Sequence, residues 1–202
     1  MAAAQEFSVG EHDWHSHTYV DWWLARDRER EAERRNRLAA MLLNAPFARD
    51  AEIAVADIGG GYGIVTEMVL EAFPRARVTL QDYSQPMLSE ARRRLAPQAD
   101  RVGFVLADLR DPAWTTRVGG PFDFAASAIA IHNLRELPAI AAAYRGVARV
   151  LKRGGVFLDY DLFFDKIGGV EGHRRMLRKA GFARVDCLFQ YPPAAALAAY
   201  AP

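Results

Sequence analysis

The 202-residue sequence carries 26 Lys and Arg against 25 Asp and Glu, a formal net charge of +1, with 51% hydrophobic and 25% charged residues. That balance supplies no basic field to neutralise a phosphate backbone, so nucleic acid is not expected as a partner. The single cysteine, Cys187, excludes an intrachain disulfide and a multi-cysteine zinc site, and no apolar run approaches the ~18 residues of a membrane span.

The opening Met1-Ala2-Ala3-Ala4-Gln5-Glu6 lacks the basic region and apolar core of a secretory leader, so a cytoplasmic protein is expected. The length suits one domain, residues 1–202, with 1–49 as a helical cap and 50–202 as the core. From His12 to about Leu43 the chain is aromatic, then densely charged with alternating sign, then apolar. This predicts one long helix with solvated faces, ended by Pro46. Past Asp50 short apolar runs alternate with helical segments. Strands are predicted at Ile53–Ile58, Ala76–Leu80, Val102–Ala107, Phe122–Ile129 and Val156–Tyr160. Helices are predicted at Ile64–Ala72, Gln85–Leu95, Leu137–Leu151 and Glu171–Ala180. Such alternation builds β-α-β units around a mainly parallel sheet buried on both faces. The last two runs, Ala183–Gln190 and Ala194–Tyr200, are joined only by Tyr191-Pro192-Pro193, too short for a parallel crossover, so one terminal strand is antiparallel. Cys187 falls in a strand and is read as a core residue rather than a nucleophile.

Between the first strand and its helix stands Asp57-Ile58-Gly59-Gly60-Gly61-Tyr62-Gly63. Glycines there let the backbone turn sharply and approach a ligand. The third glycine of a dinucleotide fingerprint is missing, since Ile64 or Thr66 occupies its place. Asp57, two positions before Gly59, suits a ligand that brings a cation to the loop. Asp82 closes the next strand, roughly 20 residues on, where an acid bonds ribose hydroxyls in nucleoside-binding sheets. Asp108 follows the third strand. Three acids at the carboxyl ends of consecutive strands predict a nucleoside ligand with a positive charge and no polyphosphate.

These residues, with Leu80-Gln81-Asp82-Tyr83-Ser84-Gln85-Pro86-Met87-Leu88, Ala107-Asp108-Leu109, Phe122-Asp123-Phe124 and Leu151-Lys152-Arg153-Gly154-Gly155, resemble the class I S-adenosylmethionine-dependent methyltransferases from Ala51 onward. Gly60 and Arg153 depart from the common pattern without putting a charge in the glycine loop. The resemblance implies a Rossmann-like three-layer α/β sandwich whose seven-stranded sheet is ordered 3-2-1-4-5-7-6, with strand 7 antiparallel. It also implies S-adenosylmethionine as cofactor, leaving S-adenosylhomocysteine. Gly59, Gly61 and Gly63 would then line the methionine part, with Asp57 near its ammonium. Asp82 would hold the ribose with Tyr83 beside it, Asp108 would meet the adenine amine, and Met87 and Leu109 would flank the purine. Ser127 would sit near the transferable methyl.

Methyl transfer from a sulfonium is an in-line displacement governed by alignment at about 3–3.5 Å. A base is needed only for an acceptor that must lose a proton. His132, in the segment that the resemblance puts beside the methyl, is the candidate base, against a purely helix-capping role. Tyr19 and Trp23, with Trp14 and Trp22, supply an aromatic rim, Tyr19 within reach of the donor. Asp161 is a candidate substrate contact, set against a solvated loop acid. Asp159 faces away from Tyr160. His12-x-x-His15-x-His17 lacks supporting carboxylates, so no metal is assigned. The short connection from Asp161 to Glu171 predicts a compact pocket for a small-molecule acceptor, roofed by the N-terminal helix or by a second subunit in a homodimer. Two other readings use the same fold: aminopropyl transfer from the decarboxylated donor, and donor binding without turnover.

Overall fold

The computed structural model describes residues 12–202, so the Met1–Glu6 opening lies outside the described residues. Two helices come first, α1 (His17–Arg28) and α2 (Glu31–Leu42), in place of the single helix expected from His12 to about Leu43. The first turn starts late because the Ser16 hydroxyl accepts the Tyr19 amide at 3.3 Å and caps the helix. The break falls at Arg30, whose φ of −111° and ψ of 4° are not helical. It lets the buried carboxylate of Asp27, at the end of α1, meet both Arg34 of α2 and the Tyr62 hydroxyl of the glycine loop. A charge run that resembles a solvated face thus contains an internal ion pair, and α2 ends before Pro46 is reached.

Seven strands follow: β1 (Ala54–Ile58), β2 (Arg77–Asp82), β3 (Val102–Leu106), β4 (Phe122–Ala128), β5 (Leu151–Leu162), β6 (Arg184–Tyr191) and β7 (Ala194–Tyr200). They form one sheet in the order β3-β2-β1-β4-β5-β7-β6. The first five are parallel, and β7 lies antiparallel to both β5 and β6. This is the order and polarity that the resemblance implied and that the short Tyr191–Pro193 connection required.

Alternate residues along each strand serve opposite layers. Val55, Phe124, Val156 and Leu158 pack beneath α1, α2, α3 (Ile64–Ala72) and α4 (Gln85–Arg94). Ala56, Ala125, Phe157 and Leu197 pack beneath α5 (Trp114–Val118), α6 (Leu137–Val150) and α7 (Gly169–Lys179). Phe124 and Phe157 are fully buried, each contributing about 1.5–3 kcal/mol of apolar burial. Helix α5 carries no sequence signal, being one turn of mixed residues. It is fixed by Trp114, whose ring lies against Gly146 of α6 where a Cβ would come within 2.3 Å.

Two expectations change here. Strand β5 runs on to Leu162, so Asp161 is a buried strand residue and not a loop acid. Cys187 is exposed, because β6 is the edge strand of the sheet. Among the described residues no helix is long and apolar enough to cross a membrane.

Candidate active site

The carboxyl ends of β1, β2 and β4 open onto a cavity of about 390 Å³. Its floor is the loop after β1. Gly59 and Gly61 sit at φ of +65° and +55°, a region closed to most side chains. They differ in surroundings. A Cβ on Gly59 would lie 2.5 Å from the Ala130 Cβ, whereas one on Gly61 would meet nothing within 4 Å. Gly59 lets the loop seat against the segment after β4, and Gly61 leaves bare backbone facing open space. Gly63 begins α3 without a side-chain cap.

Asp57 supplies the missing cap. Its Oδ2 accepts from the Thr66 amide at 3.1 Å and the Thr66 hydroxyl at 2.6 Å, satisfying a first-turn donor of α3. The carboxyl is 1% exposed, does not line the cavity, and leaves Oδ1 without a partner among the described residues. Burial pushes it up to about 7, against the Thr66 bonds that lower it. The resemblance put Asp57 near the donor's ammonium, but its observed contacts are with α3.

Asp82 lines the cavity, its Oδ2 accepting from the Gly61 amide at 2.9 Å and its Oδ1 from the Ser84 amide at 2.8 Å. Each oxygen keeps a lone pair for a hydroxyl donor. Burial raises its pKa, while the backbone donors oppose the rise. Gln81 was not singled out from the sequence, yet its side chain ties the floor together. Oε1 accepts from the Gly59 amide at 3.0 Å, and Nε2 donates to the Ala107 carbonyl at 2.5 Å. Only strand register, pairing Ile58 with Gln81, brings these groups together.

At the β3 end of the cavity stand Tyr83, Met87, Asp108 and Leu109. Met87 and Leu109 are buried apolar walls, and Asp108 accepts from the Arg110 amide at 2.9 Å. Burial next to Asp82 raises the Tyr83 hydroxyl to about 12, so it stays a donor. An apolar slot edged by one acid, a second acid beside bare glycine backbone, and the cavity volume together fit an adenosyl amino acid.

The opposite wall comes from the N-terminal segment. Trp14 and Trp23 line the cavity with ring centroids 5.4 Å apart, and the Ser84 hydroxyl donates to the Trp14 carbonyl. His15 packs on Tyr83 at 5.1 Å. Tyr19 is buried behind this wall, its hydroxyl 2.8 Å from His12 Nδ1, and it does not line the cavity. Burial, then Arg135 and His132, lower the His12 pKa. Trp22 packs on Tyr19 and Arg26 instead of the cavity. Among the described residues no cluster of three or more His, Cys, Asp or Glu could hold a metal.

After β4 the chain is strained. Ile129 adopts a φ of +52°, rare for a branched side chain. Its amide donates to the Tyr160 carbonyl at 2.8 Å, and its carbonyl accepts from Asn133 Nδ2 at 3.4 Å. The segment then delivers His132 to Asp161. The His132 amide donates to Asp161 Oδ2 at 2.9 Å, and its Nδ1 lies 2.5 Å from Oδ1, which also accepts from the Leu162 amide at 2.8 Å. With Nδ1 engaged by a buried carboxylate, the imidazole leaves Nε2 as its free basic nitrogen. His132 does not itself line the cavity, although Asn133 and Arg135 beside it in the chain do, and its side chain is 14% exposed against 2% for Asp161. The structure therefore joins the candidate base to the candidate substrate contact, and neither is among the residues that line the cavity. Ser127 is fully buried with its Oγ unpartnered among the described residues, outside the cavity wall. Asp159 and Tyr160 do face opposite layers. Asp159 accepts from the Tyr144 hydroxyl at 3.0 Å, and the Tyr160 hydroxyl accepts from Arg37 at 2.9 Å.

A family model described as a methyltransferase domain matches residues 55–155. Trans-aconitate 2-methyltransferase of Acidovorax ebreus is 34% identical over 136 residues, covering 67% of this chain and 48% of that one. The chain spans about half the length of the curated relatives it matches. Among solved structures, an O-methyltransferase family protein from Burkholderia thailandensis superposes with a TM-score of 0.73 at 17% identity, covering 93% of this chain and 60% of that one. The N-methyltransferase NodS from Bradyrhizobium japonicum, in complex with S-adenosylhomocysteine, gives 0.66 at 16% identity, covering 85% and 87%.

Proposed function

Because the chain belongs to the methyltransferase domain family, we propose that it methylates a small protic acceptor, with S-adenosylmethionine as donor and His132 as the base. When bound, S-adenosylmethionine supplies a methyl already activated by its sulfonium. The residues of the chain have then to hold, align and deprotonate. Gly59 and Gly61 give backbone access, Asp82 offers lone pairs to the ribose, and Met87 and Leu109 clasp the purine. His132, oriented by Asp161, takes the acceptor's proton at Nε2 as the new bond forms. Trp14 and Trp23 keep water from the reacting groups.

The observation that carries the small-acceptor reading is the roof. Trp14 and Trp23 line the cavity, and the Ser84 hydroxyl at the start of α4 donates to the Trp14 carbonyl, so the N-terminal segment is tied down beside the proposed donor site, which supports a compact acceptor. Incubating the protein with S-adenosylmethionine and a panel of phenols, thiols, amines and carboxylates, followed by mass spectrometry, tests it. A product heavier by one methyl, with S-adenosylhomocysteine released, is the expected result. Donor binding with no acceptor consumed leaves the reading of a binding protein without turnover. An aminopropyl product from decarboxylated donor leaves the transferase of that group.

A second reading, methylation of a carboxylate, is favoured by Arg135 in the cavity wall and by relatives named for trans-aconitate. An ionised carboxylate has no proton to lose, so no base is required. Under this reading only carboxylates in the panel turn over, and His132→Ala keeps its rate within about twofold.

A further inference from the structure

Of the three histidines in His12-x-x-His15-x-His17, His12 alone lines the cavity. His15 packs on Tyr83 instead. The His12 ring is stacked on Trp14, with centroids 5.9 Å apart and planes at 28°, and meets the Tyr19 ring edge-on at 5.9 Å. Its Nδ1 lies 2.8 Å from the hydroxyl of Tyr19, a residue only 2% exposed. An imidazole packed on two aromatic rings and bonded at one nitrogen is held by the wall itself.

The bond at Nδ1 decides what Nε2 can do. Burial raises the Tyr19 pKa, so the phenol keeps its hydrogen. An imidazole nitrogen is a far stronger base than a phenolic oxygen, so Tyr19 donates to Nδ1 and the ring's own hydrogen stands on Nε2. Burial lowers the His12 pKa, and Arg135 and His132 lower it further, so the ring is neutral at pH 7. His132 is the converse case. A carboxylate engages its Nδ1, so its Nε2 is basic. The two rings, within electrostatic reach of each other, offer one hydrogen donor and one proton acceptor.

Arg135 joins them in the wall, close enough to act on both His12 and Tyr19. Its backbone is left-handed, with φ of +62°, where the short turn Ile131–Leu134 ends. That conformation is uncommon for a residue with a side chain. Here it accompanies a cation placed beside a neutral N–H donor.

We propose that His12 is an acceptor-binding residue: its Nε2–H, with Arg135, holds a non-reacting carboxylate of the methyl acceptor, and Tyr19 is its positioning residue. This deepens the reading of His132 as the base and rests on it. The acceptor is a small hydroxy-, mercapto- or amino-carboxylate. Its heteroatom gives its proton to His132 and takes the methyl, while its carboxylate stays unmodified. An anionic oxygen receives charge-assisted hydrogen bonds from an imidazole N–H and a guanidinium, which a plain phenol, thiol or amine does not match.

Matched pairs test it: hydroxy-, mercapto- and aminobenzoates against phenol, thiophenol and aniline. Each is titrated by calorimetry into the protein saturated with S-adenosylhomocysteine, and each is assayed for turnover. At least one acid should bind about tenfold tighter than its neutral partner. His12→Phe should remove most of that preference and leave the neutral partner and S-adenosylhomocysteine within about twofold. His12→Gln, whose amide can donate, should restore much of it, and Tyr19→Phe should lower it with KM rising more than kcat falls. Equal weakening of both members of a pair by His12→Phe would mean a packing role and overturn the proposal. No preference for any acid, or a methyl ester as product, would overturn it too. A preference that stands while His132→Ala keeps full turnover removes the base reading alone. Failure of the unaltered protein to bind S-adenosylhomocysteine overturns the donor-site reading, and the proposal with it.

Discussion

Asp161 holds His132 at two points, by the backbone amide at 2.9 Å and by the ring Nδ1 at 2.5 Å. The carboxylate fixes both where the residue sits and which nitrogen faces outward. Replacing His132 by Ala removes the base and should lower turnover about 10²–10⁴-fold with a proton-bearing acceptor. The affinity for S-adenosylhomocysteine should stay within about twofold, because an interaction made only in the transition state lowers kcat without touching donor binding. Asp161→Asn should also lower kcat, through loss of the orienting anion. Steady-state rates alongside calorimetry decide the matter, and a kcat equal to that of the unaltered protein removes His132 from the chemistry.

Asp82 is the cavity acid with both oxygens tied to backbone amides. Asp82→Ala should weaken donor binding by about 1.5–3 kcal/mol, the range for hydrogen bonds to a charged group. The loss should be shared by methylthioadenosine, which keeps the ribose. Calorimetry reads both, and an unaltered affinity refutes the ribose assignment.

Gly59 and Gly61 share a left-handed backbone but predict opposite phenotypes. Gly59→Ala drives a Cβ against Ala130 and should lower the melting temperature together with ligand binding. Gly61→Ala meets open space, so its cost to the fold is the backbone strain of roughly 1–2 kcal/mol, while the methyl group enters the donor's place. Gly61→Val should abolish donor binding with the fold intact. Thermal melts and S-adenosylhomocysteine titration on each variant separate the two effects. Full donor binding by Gly61→Val would mean that the loop does not touch the ligand.

The Asp57 carboxyl gives a pH signature of unusual sign. Its folded value of about 7 lies above the unfolded value of 3.8, so the folded protein binds more protons between them. The stability contribution is complete below the unfolded value and is lost as pH rises through the folded one. Asp57→Asn keeps an acceptor for Thr66 and cannot ionise. Relative to the unaltered protein it should therefore gain about 1–3 kcal/mol between pH 5 and pH 8. Urea unfolding at the two pH values measures this, and a pH-independent difference rules it out.

The sheet was legible because its cues are local. Near-continuous apolar runs mark β1 and β4, and a three-residue connection between β6 and β7 forces the antiparallel strand. The acids at strand ends were legible for the same reason, since a strand end is a place in the sequence. What escaped was tertiary. Asp27 bonds a hydroxyl 35 residues away, and nothing in its charged surroundings distinguishes it from the solvated acids beside it. Gln81 reads as an ordinary strand polar residue until register places it under Gly59. The extent of β5 was misjudged because polar Asp159 and Asp161 interrupt its apolar pattern, although both are buried against partners from other elements. Cys187 was misjudged in the other direction, because its strand is an edge.

Ile129, held in its left-handed conformation between Tyr160 and Asn133, costs on the order of 1–3 kcal/mol. A laboratory selection for heat resistance should therefore reach position 129 early, choosing glycine or asparagine. The survivors would be sturdier proteins with a slacker approach to His132, so gains in shelf life at this residue should come at the expense of speed.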